Sequence, residues 1–192
     1  MSLEVAGLRA LAHPTRLRIL SLLTGTAMSA AEIARELDIT QANASYHVRT
    51  LAAASYLVEV GEENIRGGVA KRYAYVLPER KGSQARRSEP EVMEEAQVLV
   101  YQAMAEELIR RARQAVPAQP QHWTDAELWV DQEDWDHAMR LVREASDVLH
   151  RRAHPPRTDG TIHVSATAAL FRMRDEPRST DQANRSDRGE EA

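Results

Sequence analysis

Through the first third of the chain, apolar positions recur at intervals of three and four, the period of helices buried on one side. Leu3, Leu8 and Leu11 mark a short helix over 3–12, which stops before Pro14 because the residue preceding a proline avoids helical angles. Pro14 suits the first position of a second helix, "PTRLRILSLLT", where no backbone N–H is needed. Leu17, Leu20 and Leu23 form its stripe, and Ile19 and Leu22 widen it. "SAAE", 29–32, reads as a capping box opening a third helix with Ile33 and Leu37 inward. "DIT" follows as a short turn, and Thr40 is suited to cap a fourth helix over 40–54. In that helix Ala44, Val48 and Leu51 fall within about 60° at ~100° per residue, and Tyr46 points nearly opposite.

From Tyr56 the period shortens. "YLVEV" and "KRYAYVL" are β-branched and aromatic, and the turn-rich "GEENIRGG" between them predicts a β-hairpin. The polar stretch 78–90 reads as a linker. A long helix follows over 91–116, acidic early and rich in arginine late, as the helix dipole favours. Beyond "PAQPQHW", "ELWV" predicts a short strand, Asp131 a cap, and Trp135, Met139, Val142, Ser146 and Leu149 one side of a helix to about 152. Ile162, Val164, Ala166, Ala168 and Leu170 alternate at period two, the pattern of a half-buried strand. The expectation is therefore an α+β, mainly helical chain. A winged helix-turn-helix domain occupies 1–80, and a long helix with a small C-terminal α/β module (strand–helix–strand) occupies 91–174. Residues 175–192, poor in aliphatic side chains, form a disordered tail.

The polar side of helix 40–54 changes the picture from fold to function. A solvated helix face normally carries Glu and Lys, good helix formers. This one carries Gln41, Asn43, Ser45, Tyr46, His47 and Arg49, with no carboxylate. The major groove of duplex DNA admits one helix, and only the side opposite its core contacts reaches base edges. Gln41, Asn43 and Ser45 can donate and accept, and Arg49 can pair with phosphate or fork onto guanine. Arg66, Lys71 and Arg72 on the hairpin suit phosphate contact, whereas Glu62 and Glu63 oppose it. The net charge of −4 does not exclude a polyanionic partner, because it is uneven: +1 over 1–80 and −5 over 117–192.

"LAHPTRLRILSLL" followed by "SAAEIARELDITQANASYHVRTLAAASYLVEV" resembles the ArsR-type winged-helix transcriptional regulators, over about residues 3–77. The most specific element is Ser-x-His-aliphatic-x-x-Leu, here Ser45, His47, Val48 and Leu51. The resemblance implies a homodimeric, repressor-like regulator binding double-stranded DNA at a near-palindromic operator. It places Gln41, Ser45, Tyr46, His47 and Arg49 at the DNA. Two departures stand out. Ser55 occupies a position where the family often has glycine, and the thiolates through which many members sense metals are missing, since cysteine is absent.

Without cysteine there is no disulfide, thiolate nucleophile or soft-metal site, and a reducing cytoplasm is expected. His150 and His154 stand four apart without a third ligand fixed by spacing, so neither metal nor cofactor is expected. No phosphate-cradling glycine loop or nucleophile turn points to an enzyme. The apolar runs are too short for a bilayer span, and the N-terminus lacks the pattern of a secretory signal. Trp123, Trp129 and Trp135 are all the tryptophans. They are expected in the core of the C-terminal module, or alternatively lining a pocket for a small organic effector. The competing function is a winged-helix module that binds protein rather than DNA, and the acidic pair in the wing loop favours it.

Overall fold

The computed structural model describes residues 3–65, 68–75 and 90–174. Four helices come first: α1 (Leu3–Leu11), α2 (Pro14–Leu23), α3 (Ala30–Leu37) and α4 (Gln41–Ala53). A two-residue strand, β1 (Met28–Ser29), precedes α3. The hairpin of β2 (Leu57–Ile65) and β3 (Gly68–Tyr75) follows α4, and α5 (Pro90–Ala112) and α6 (Gln132–Arg151) complete the described elements. The three strands form an antiparallel sheet in the order β1-β3-β2.

Each early helix starts where its capping chemistry lies. The Ser29 hydroxyl and the Glu32 carboxylate satisfy each other's backbone N–H groups in a complete capping box. The Thr40 hydroxyl accepts from the Asn43 N–H at 3.2 Å. The cap of α2 is less usual: the Thr15 N–H donates to Nδ1 of His13 at 3.1 Å. The turn from α3 to α4 passes through Asp38 at φ 53°, and Ser55 closes α4 at φ 62°. Ser55 thus adopts the left-handed conformation that glycine would take without steric cost.

Ile19, Leu20, Leu23, Ile33, Ala34, Ala44, Val48, Leu51 and Leu57 form one buried cluster, roofed by Tyr56, Tyr73 and Tyr75. Full burial of a side chain such as Ile33 or Leu51 contributes about 1.5–3 kcal/mol. Helix α5 adds a second layer. It buries Ala96, Val100, Ala103 and Glu107, and it packs on α1 and α2. Glu107 enters that seam with its charge answered, because Arg110 grips it bidentately and Arg111 approaches to 3.4 Å.

This architecture is the α+β, mainly helical one expected, with two corrections. The hairpin strands are longer than the pattern suggested, since 61–65 continues β2 rather than forming a loop. Pairing shifts between Glu59 and Gly61, so Val60 is an extra residue in a β-bulge that lets the strand run on. The second correction concerns the C-terminal region. The strands expected at 127–130 and 161–173 do not form, and only the helix between them does. A period-two segment becomes a strand only when another edge takes its N–H and C=O groups, and Leu128, Ile162, Val164 and Met173 lie exposed instead.

The C-terminal region touches the rest at a few points. The His150 ring stands 6.4 Å from Tyr75, Arg157 pairs with Glu36, and Phe171 and Arg174 reach Tyr101 and Glu94 on α5. Gly25 lies so close to His154 that a Cβ there would collide with its carbonyl. No helix among the described residues is long and apolar enough to cross a membrane. The tail 175–192 and most of the linker 78–90 lie outside the described residues.

Candidate nucleic-acid interface

Helix α4 is seated by Ala44, Val48 and Leu51, all fully buried. Its opposite side carries Gln41, Ala42, Asn43, Tyr46 and Arg49 outward, with Ser45 and Thr50 half-covered at the edges. Tyr46 is 57% exposed, and Thr50 donates to its backbone carbonyl at 3.0 Å. Among the described residues the Arg49 guanidinium has no hydrogen-bond or ion-pair partner. A free cation beside donor–acceptor side chains, with no carboxylate on the same face, is competent to meet phosphate and base edges.

His47 is not on that face. It is only 4% exposed, and its ring lies 4.6 Å from the ring of His13 and 5.3 Å edge-on from Tyr46. Its Nδ1 is buried with no hydrogen-bond partner. Burial, then the neighbouring His13 and Arg16, push its pKa down to about 4, so the ring is neutral at ordinary pH. Burial and Arg16 also lower the pKa of His13, and Glu106 on α5 opposes them. Arg16 is occupied with the carbonyls of Ala10 and Arg9. The histidine of the Ser-x-His pattern therefore packs the joint between α2 and α4. The periodicity already contained this: at ~100° per residue His47 lies about 40° from Leu51.

The wing also departs from expectation. Arg72 does not project outward. It donates to the Ala27 carbonyl, to the Glu32 carboxylate at 3.0 Å and to Glu63 at 2.8 Å. The carboxylate that caps α3 is thus also the wing's anchor. Burial opposes ionisation of Glu32, but the Ser29 hydrogen bonds and Arg72 prevail and lower its pKa. Lys71 is exposed and pairs with Glu59 at 2.8 Å. Arg66 lies outside the described residues. The basic residue overlooked in the sequence is Arg35, exposed on α3 and sharing a shallow groove with Asp38, Gln41 and Glu63. Its place outside the α3 stripe of Ile33 and Leu37 was the available signal.

The tryptophans are not a core. Trp123 and Trp129 are 86% and 91% exposed, and Trp135 is half-covered. In the single chain they line no shared interior.

Residues 11–60 match a family described as a helix-turn-helix domain. The match spans α2, β1, α3, the turn, α4 and the first residues of β2, the elements that carry and support the face just described. This stretch is a helix-turn-helix domain. No curated protein matches the chain. Helix-turn-helix domains use their second helix in the major groove, with its first residues at base edges. In this chain the second helix of the motif is α4.

Proposed function

We propose that this protein is a dimeric transcription regulator of the ArsR type, a repressor reading a near-palindromic operator through α4. The observation that carries the reading is the α4 face itself: Tyr46 and an unpaired Arg49 opposite a fully buried seat, with Asn43 and Ser45 on the flanks and Gln41 at the exposed N-terminal tip. Lys71 and Arg66 serve as wing contacts, and Arg72 and His47 hold those elements in place. The domain unit is 1–80, with 91–174 devoted to assembly and signal. Dimerisation is supported by α5, which shows Val98 and Ile109 to solvent opposite its buried face, with Leu99 and Leu108 exposed at the flanks. A two-fold dimer would set two α4 helices about 34 Å apart, one turn of the duplex. A small organic effector acting on 117–174 would shift the dimer between geometries by binding one of them more tightly.

Arg49→Ala and Tyr46→Ala should each weaken duplex binding by about 1–3 kcal/mol, the worth of one good base contact. Their thermal unfolding should match that of the parent chain. Titration of a fluorescent operator, selected from random duplexes, together with calorimetry decides the matter. Parent-like affinity in both variants would remove α4 from the DNA.

A second reading, a protein-binding winged helix, is favoured by one observation. Lys71 and Arg72 are both neutralised by carboxylates within the chain, and Glu62 stands exposed beside them. Absence of salt-dependent retention on random duplex would favour it, since phosphate contacts release counterions and weaken as salt rises.

A further inference from the structure

Tyr46 is the one aromatic side chain on the outer face of α4, and it stands 57% exposed. An exposed tyrosine on a helix samples two side-chain rotamers, so a contact with a base first has to fix one of them. In this chain the ring already leans to one side. Consecutive residues on a helix point about 100° apart and do not face each other. The Tyr46 ring nevertheless meets the His47 ring edge-on, at 5.3 Å and 67°, a favoured arrangement for an aromatic pair. Arg16 on α2 marks the same direction. Burial lowers its pKa, and the nearby Tyr46 opposes the shift.

What His47 rests on is equally fixed. Its ring is 4% exposed and lies 4.6 Å from the ring of His13, tilted by 50°. His13 is held in turn, because its Nδ1 accepts from the Thr15 N–H and so caps α2. Three rings therefore stand in series from the start of α2 to the outer face of α4. Packing alone does not call for an imidazole in the middle of that series. Ala44, Val48 and Leu51 already seat the helix, and all three are buried. An aliphatic side chain would fill the joint without leaving a nitrogen, Nδ1 of His47, buried and unpartnered.

We propose that His47, backed by His13, is a positioning residue for DNA recognition, holding the Tyr46 ring in one orientation ahead of binding. The proposal rests on the reading of DNA by α4 set out above. Fixing one side chain in advance removes the cost of ordering it on binding, about two- to tenfold in affinity. The gain is confined to a specific site, because random duplex is held through its phosphates.

The test uses the full-length chain, an operator selected from random duplexes, and a random duplex of equal length. His47→Leu fills the joint without a ring, and His47→Phe keeps a ring without nitrogens. His47→Leu should weaken operator binding by about two- to tenfold and leave random-duplex binding unchanged, with a parent-like helical circular-dichroism signal. His47→Phe should restore operator binding. If the larger ring unfolds the domain, the cycle with leucine decides alone. In a Tyr46→Ala background His47→Leu should lose nothing further, because the ring it positions is gone. A loss that persists in that background overturns the proposal and assigns His47 to the seat of α4. Equal losses on operator and random duplex overturn it too, as does parent-like operator affinity in His47→Leu. Loss of the helical signal in both variants would show that the ring serves the fold instead. The reading of DNA by α4 fails separately, in the parent chain, if no operator can be selected.

Discussion

Residues 3–75 and 113–174 solve opposite problems with similar material. In the first region every helix finds a neighbour, and Ile19, Leu20, Leu23, Ile33, Val48, Leu51 and Leu57 disappear into one cluster. In the second, aliphatic and aromatic side chains are fewer but still common, and not one is buried. Apolar content alone therefore does not make a core; facing surfaces do. The helix-turn-helix region supplies both faces of its core from one chain. The C-terminal region supplies one face and touches its neighbours at isolated points.

The sharpest contrast comes from one substitution in each region. Val48→Asp buries a carboxylate without a partner and should destabilise the first region by about 4 kcal/mol or more, read as loss of cooperative unfolding. Trp129→Ala, at a residue 91% exposed, should move the same transition by less than about 0.5 kcal/mol. A large loss from Trp129→Ala would mean that the C-terminal region has a core after all.

Gly25 is where the two regions press closest. Gly25→Ala should force its neighbour aside at about 1–3 kcal/mol, as overpacking does. Limited proteolysis should then cut within 153–160 faster, while α2–α4 stay protected. Parent-like cleavage would show that the contact does not hold the C-terminal region in place.

Acid should act on the first region through His47. His47 has a folded-state pKa of about 4, below the 6.5 of an unfolded chain. The unfolded state therefore takes up the proton first as pH falls. Stability is fully present above pH 6.5 and declines toward pH 4, by on the order of 1–2 kcal/mol near pH 5. Urea melts between pH 7.5 and 5 should show this decline, and His47→Leu should flatten it. The smallest effect is a gain. Ser55→Gly relieves a left-handed serine and should stabilise by about 0.5–1 kcal/mol in the same melts. A loss there would show that the Ser55 side chain contributes more than its backbone costs.

Legibility in the sequence followed the same divide. The helices of the first region, the Ser29–Glu32 box and the Thr40 cap were readable because their causes lie within four residues of their effects. The α4 face was readable for the same reason, except at His47. There the family pattern outweighed the helical angle that already placed the ring beside Leu51. What escaped was long-range: Arg72 reaching back to Glu32 and Ala27, and the pairing of Met28 with Tyr73. The strand expected over 161–173 failed for a related reason. Alternation describes one edge, and a strand needs two.

The Arg72 anchor has a mechanical consequence. One guanidinium ties the β1 approach, the cap of α3 and the hairpin together, which couples the position of the wing to that of α3. A wing held in this way cannot swing independently to follow a groove that widens or bends. On the proposed reading of a duplex against α4, the adjustment would fall to the nucleic acid, and easily deformed steps beneath the wing would become part of what is recognised.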